Sequence, residues 1–299
     1  MGTPNIARVP PAAPSLIRSD DAMMQLASWP LTIASRHWRV DPARCYDIST
    51  PLDFNGPQPN FFGAARANGA PLVAGSFIGD VRQGGSCNCA TYSLTPHCNG
   101  THTECVGHVT GESIGIRSVN VPGFAIARLV TIAPESVTAS DETTDPPPQA
   151  GDQLITHRAL LAALRGTTLL GANALIVRTL PNESSKRQRS YGPEQPPPYF
   201  TANFMRALVE ANIEHLICDL PSVDRAEDEG RLTAHRIFWG LAPGATTAQH
   251  ATRPRATITE LAYVDDAIAD GLYLLNLQVA PFESDAAPSR PLLFPLIPA

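Results

Sequence analysis

No stretch of the sequence approaches the ~18 consecutive apolar residues of a membrane-spanning helix, so the chain reads as globular. Nor is there a basic stripe. The 22 Lys and Arg stand against 28 Asp and Glu, a formal net charge of −6, which argues against nucleic acid or an anionic membrane surface as a partner. Cysteine is sparse: six in 299 residues, without the density or regular spacing of a disulfide framework, which suits reduced thiols. The pair in Cys87-Asn88-Cys89 is too tight for a structural zinc knuckle and reads as two small buried residues on a strand. Near the beginning, Asp20 and Asp21 interrupt the apolar core that a signal peptide needs, and Gly2 lacks the Ser or Thr four residues on that marks myristoylation. The expectation is a cytosolic protein. Internal repeats are also missing, as is any linker dividing two cores, and an apolar fraction of 43% can fill one large core.

Proline and glycine, by contrast, are plentiful, at 29 and 21. Residues 1–40 form an N-terminal arm, rich in proline at first, with a short apolar run from Met23 to Trp29 that predicts a helix stopped at Pro30. Turn signals at Gly56-Pro57 and Asn68-Gly69 cut the next stretch into short pieces, and Pro71 to Ile78 reads as a strand. Strands are predicted at Ile114–Ile116, Phe124–Ile132, Ala174–Leu180, Ile213–Leu220 and Tyr273–Ala280, the last of these taken as the final strand. Pro134 to Pro148 reads as an acidic surface loop, and helical apolar spacing runs from Gln153 to Arg165. Thr201 is a plausible N-cap for a helix through Glu210, and Ser184 to Pro198 reads as a loop or lid. Many short strands with two convincing helices indicate a single mixed α/β or α+β domain.

The chemistry concentrates in Pro96 to His108, where His97, Cys98, His102, Glu104, Cys105 and His108 crowd into thirteen positions. Imidazole and carboxylate ligate zinc, manganese or iron, and a thiolate favours zinc. On an extended segment alternate residues share a face, so His102 and Glu104 can reach one ion together, and His108 can return over it after Gly107. Gly100 can bring the backbone close or take a positive φ just before that pair.

Gly100-Thr101-His102, Glu104 and His108 resemble the H-x-G-T-H-x-D-x-P-x-H signature of the cyclase family, which includes bacterial kynurenine formamidases and isatin hydrolases. Three positions depart from it: Glu104 stands where the family has aspartate, Val106 where it has proline, and a gap-free alignment puts Cys98 at the first histidine, with His97 beside it. On an extended strand Cys98 shares its face with His102 and Glu104, which favours Cys98 as first ligand, whereas a bulge at Asn99-Gly100 would bring in His97. The resemblance runs from about Asp47 to Pro295. Ser222-Val223-Asp224 is similar to the segment that precedes a further family ligand, which maps to His235, and Thr259-Glu260-Leu261 is similar to the segment carrying the last one, Glu260.

The resemblance implies the swivelling β/β/α fold, a mixed sheet or flattened barrel flanked by helices, over residues 41–299. It implies one or two divalent ions, zinc first and manganese second, held by Cys98 or His97 with His102, Glu104, His235 and Glu260. His108 falls on the family's catalytic histidine, with Glu260 alongside in the reaction. Arg290 is a candidate for a substrate carboxylate, and Phe61, in the stretch Gln58–Phe62, for a pocket wall. The implied activity is hydrolysis of a formamide or cyclic amide C–N bond in a small molecule, by a homodimer or higher homo-oligomer. The departures at Cys98 and Glu104 motivate the alternative, a relative that binds metal or a small ligand without turnover.

Overall fold

The computed structural model describes residues 28–119, 123–169 and 171–299. The predicted helix at Met23–Trp29 lies outside them up to residue 27, and Trp29 itself opens a strand. Among these residues ten strands form one sheet, seven of which close into a mixed barrel. Around the ring run Ala286–Pro298, Gly271–Val279, Ala125–Ile132, Ala174–Thr179, His215–Cys218, Thr257–Glu260 and His102–Glu104, which pairs back onto Ala286–Pro298. The four strands from Ala125–Ile132 to Thr257–Glu260 are mutually parallel, and the remaining contacts of the ring are antiparallel. The hairpin of Trp29–Ile33 and Arg36–Val40 extends the sheet along the far end of Ala286–Pro298.

Side chains alternate across this wall as the two-residue period of a strand requires. Ala127 and Leu129, Ala174 and Ile176, and Ile217 point into the barrel with Leu275, Leu277 and Leu293. Val130 and Ile132, Leu175 and Val177, and Leu216 and Cys218 point outward. There they pack under the helices His157–Leu164, Ala202–Glu210 and Thr233–Trp239 through Leu160, Phe204, Leu208, Phe238 and Trp239. Burial on both faces explains why the parallel strands read as continuous apolar runs. Thr103 and Thr259 bond across the barrel side through their hydroxyls at 2.7 Å, so His102, Glu104 and Glu260 face outward, towards the helix that carries His235.

Several expected elements differ. Pro71–Ile78 is not one strand but Val73–Ala74 folding onto Phe77–Ile78 about Gly75, after Asn68–Pro71 has paired with Ala90–Ser93. The predicted helix from Gln153 begins as the strand Gln153–Ile155, because Thr156 caps the helix His157–Leu164 by accepting from the Ala159 amide. Ile114–Ile116 gives way to a 3-10 turn at Ile116–Ser118, and the loop from Pro134 contributes the strand Glu135–Ser136. Thr201 caps Ala202–Glu210 as expected, accepting from the Phe204 amide. Cys87 and Cys89 are exposed rather than buried, and all six cysteines are free. The longest strand, Ala286–Pro298, follows the one taken as last.

The loop Ser184–Gln188 is tied to the barrel by Lys186, the single lysine of the sequence. Its buried ammonium donates to the Thr179 carbonyl (2.5 Å), the Thr179 hydroxyl (2.9 Å) and Asp219 (2.8 Å). All three donors are thereby satisfied at the ends of two neighbouring strands.

Candidate metal centre

Pairing brings the outward-facing ligand types together. Glu260 stands opposite His102 in the antiparallel ladder, and Glu104 stands opposite Ala286 on its other side. His235 comes from the helix Thr233–Trp239, and its Nε2 lies 2.8 Å from Glu104 Oε1 and 3.6 Å from Glu260 Oε1. His102 Nε2 lies 3.4 Å from Glu260 Oε2. His97 Nδ1 is 3.1 Å, and His108 Nδ1 3.8 Å, from Glu104 Oε2. Among the described residues three overlapping groups of possible ligand atoms, each within 4.8 Å, result: His97 with His102 and Glu104; Glu104 with His108 and His235; and His97 with His108 and Asp285.

His97, His102 and His235 are each fixed by the ring nitrogen that does not face the carboxylates Glu104 and Glu260, and His108 is fixed through Nδ1. His102 Nδ1 donates to the Gly100 carbonyl at 3.0 Å, which leaves Nε2 bare. Asp224 accepts from His235 Nδ1 at 2.7 Å and caps the same helix by accepting from the Ala234 and His235 amides at 2.7 and 3.1 Å. Asp285 accepts from His97 Nε2 at 2.9 Å and from His108 Nδ1 at 3.1 Å. Glu260 is held by the Val223 amide at 2.8 Å. Thr101 serves the scaffold, its hydroxyl accepting from the Thr50 amide and donating to the Leu261 carbonyl, each at 2.7 Å.

Backbone economy shapes the loop. Gly100 is fully extended (φ 179°), a conformation open to any residue, whereas a Cβ on Gly107 would meet the Ile114 carbonyl oxygen at 2.3 Å. Close approach therefore requires glycine where the 3-10 turn Val106–Val109 returns His108 over Glu104.

His102 and Glu104 have no exposure at all. His102 Nε2, both Glu104 carboxylate oxygens and His235 Nε2 are buried without a hydrogen-bond partner, although they lie close to one another. Native proteins rarely bury polar atoms this way, and bare imidazole nitrogens converging on carboxylate oxygens form the donor set of a divalent metal site. The residues therefore fit a metal ion. Without one, the carboxylates must hold protons on the rings. Burial opposes a charged His97, but Asp285 and Glu104 outweigh it and bring its pKa up to about 10. Burial likewise opposes a charged His235, and Glu104 and Asp224 raise it well above the ordinary value. Burial would raise Glu104, yet the charges of His108 and His235 hold it well below the usual carboxylate range.

The two candidates for the first ligand position are placed differently from an extended chain. The extended strand that would put Cys98 on the face of His102 and Glu104 is absent: Pro96–Asn99 is a helical turn, and it turns the His97 ring towards His102, with centroids 5.1 Å apart. Cys98 is buried and joins none of the three groups of ligand atoms; burial and the Glu260 charge raise its thiol pKa, disfavouring a thiolate. Arg290 is exposed and pairs with Asp47 at 2.7 Å rather than with a residue of the cluster. Phe61 is buried against Tyr191 and Leu261, the residue after Glu260. With Phe62 and Tyr199 it lines a cavity of about 400 Å³ whose wall also includes Arg225, the neighbour of Asp224. The sequence reading missed Asp285 as a partner of the two histidines.

A family model described as Putative cyclase matches residues 33–225, more than half of the chain. No curated protein matches the sequence. Among solved structures, a predicted metal-dependent hydrolase from Bacillus stearothermophilus superposes with a TM-score of 0.51 at 15% identity, covering 84% of this chain and 98% of its own. Isatin hydrolase A from Labrenzia aggregata, bound to benzyl benzoate, gives 0.53 at 14% identity, covering 86% and 94%. Isatin hydrolase A from Ralstonia solanacearum gives 0.53 at 15% identity, covering 85% and 92%. A mixed barrel flanked by helices, with this family's fold, is what these likenesses establish. The chain belongs to the cyclase family.

Proposed function

We propose that the protein is a metal-dependent hydrolase of an amide C–N bond in a small molecule, either a formamide or a cyclic amide of the isatin kind. The observation that carries this reading is the convergence of bare, buried ligand atoms from His102, Glu104 and His235 beneath a half-buried histidine, His108, oriented by its own carboxylate. His97 and Glu260 complete the proposed ligand set around one or two ions. Imidazole and carboxylate ligands without a thiolate suit zinc, our first choice, and manganese. Held by these residues, a divalent ion would supply Lewis acidity for a water and a substrate carbonyl.

The protein's own residues do the rest. Asp285 fixes His108 through Nδ1, so Nε2 is the atom that takes a proton from water and returns it to the leaving nitrogen. Asp224 keeps the His235 proton on Nδ1, and Glu104 offers each oxygen to a different histidine. An aromatic substrate would rest against the Phe61 side of the site. The test pairs metal analysis with turnover on N-formyl aromatic amines and isatin. His108→Ala should keep its metal while turnover falls by roughly two to four orders of magnitude; loss of metal in proportion to activity would make His108 a ligand instead. Stoichiometric metal without turnover on a broad amide and ester panel would overturn the catalytic reading.

A further inference from the structure

Three lysine or arginine side chains are buried among the described residues, and only one lacks a carboxylate. Lys186 pairs with Asp219 and Arg178 with Asp270. Arg236, 9% exposed, forms no ion pair among the described residues: its Nε donates to the Arg231 carbonyl (3.0 Å) and its Nη1 to the Ala245 carbonyl (2.5 Å), both neutral acceptors. A buried charge without a counter-charge is costly, and here the charge borders a cavity of about 630 Å³.

Two more guanidiniums line that cavity. Arg206, exposed on the helix Ala202–Glu210, makes no hydrogen bond or ion pair with the described residues. Arg231 pairs only with Glu229, at 3.8 Å, and both side chains are more than half exposed. The carboxylates on the wall, Glu229 and Asp145, are exposed, whereas the unpaired cation is buried, so the positive field is strongest where water is scarcest. The chain as a whole carries −6, which makes three guanidiniums in one cavity a local reversal of sign. The volume lies within the range of about 300–1,000 Å³ typical of small-molecule sites, and it exceeds what a bare oxyanion fills.

We propose that this cavity binds a phosphate-bearing small molecule, whose phosphate is gripped by Arg236, Arg231 and Arg206 through forked, charge-assisted hydrogen bonds. The site is separate from the metal centre. Arg236 follows His235 on the same helix, so an occupant would sit behind the segment that carries a proposed ligand.

Calorimetric titration of the metal-loaded protein with adenosine monophosphate, inorganic phosphate and uncharged adenosine, at constant ionic strength, tests this. Arg236 also ties down the chain at Arg231 and Ala245, so the exposed pair carries the experiment as Arg206→Ala/Arg231→Ala. Saturable 1:1 binding of the phosphomonoester, none of adenosine, and weakening by about tenfold to a hundredfold in the double variant are expected. No binding at millimolar concentration, or binding unchanged in a folded double variant, would overturn the proposal; the second outcome would place the phosphate elsewhere, as at the metal centre.

Discussion

Asp224→Asn changes one atom of a buried side chain and should be felt at the metal centre. The carboxylate meets three donors, the Ala234 amide at one oxygen and both the His235 amide and His235 Nδ1 at the other. An asparagine has a single oxygen, so its NH2 group must face one side of this set. Turned towards Ala234, it leaves a buried amide unpaired, at a cost of about 1–3 kcal/mol in stability. Turned towards His235, it forces Nδ1 to accept, which moves the ring proton to Nε2 and blocks the nitrogen that faces Glu104. Partners of this kind are worth roughly 10–100-fold in metal affinity, about 1.4 kcal/mol for each factor of ten. Competition with a chromogenic chelator at neutral pH measures the affinity, and thermal melts with and without chelator separate it from stability. Wild-type affinity together with a wild-type melt in the asparagine variant would refute the reasoning, because neither orientation of the amide permits both.

The metal-free protein should have a stability profile set by His97 and Asp285. Burial opposes the charged His97 ring but its two carboxylates bring it to about 10, above the ordinary ~6.5, so its stabilisation is complete below about pH 6.5 and lost as pH rises towards 10. Asp285, held low by His108 and then His97, stabilises fully above its ordinary value of about 4 and loses that stabilisation progressively as pH falls below it. Chelator-treated protein should therefore melt highest between about pH 4 and 6.5; a melting temperature that is flat from pH 6.5 to 10 would contradict this. His97→Ala should lower zinc affinity more than Cys98→Ser, and chelator competition giving the reverse order would restore the thiolate as first ligand. A homodimer or larger assembly is expected in solution, with Val73, Val81 and Tyr92 as exposed apolar candidates for the contact; sedimentation as a monomer at micromolar concentration would exclude it.

Local signals carried much of the fold. The Thr201 cap, the apolar strand Ala174–Thr179 and the turn of His108 at Gly107 depend on near neighbours, and each was legible in the sequence. Ala286–Pro298 was not, because Pro288, Pro291, Pro295 and Pro298 argue against a central strand. Pro291 and Pro295 stand four apart, so their missing donors fall on the same side, and pairing continues from Ser289 opposite Val279 to Pro295 opposite Tyr273. Missing that strand also hid Asp285, since the register of Ala286 against Glu104 is what carries the aspartate to two histidines. Whether Cys98 or His97 faces His102 depends on one helical turn, Pro96–Asn99. Its signal was present: Pro96 occupies the first helical position, where a fixed φ and a missing donor are tolerated.

With its only lysine buried and ion-paired, the folded domain offers no accessible side-chain amine among its described residues. Acylating labels, amine-directed cross-linkers and reductive methylation would find nothing to modify there, however many cationic groups the surface displays, because those groups are guanidiniums. Lys186 becomes reactive only when the loop Ser184–Gln188 lifts from Thr179 and Asp219. The rate at which an amine reagent modifies that one position would therefore time a local opening that leaves the barrel intact.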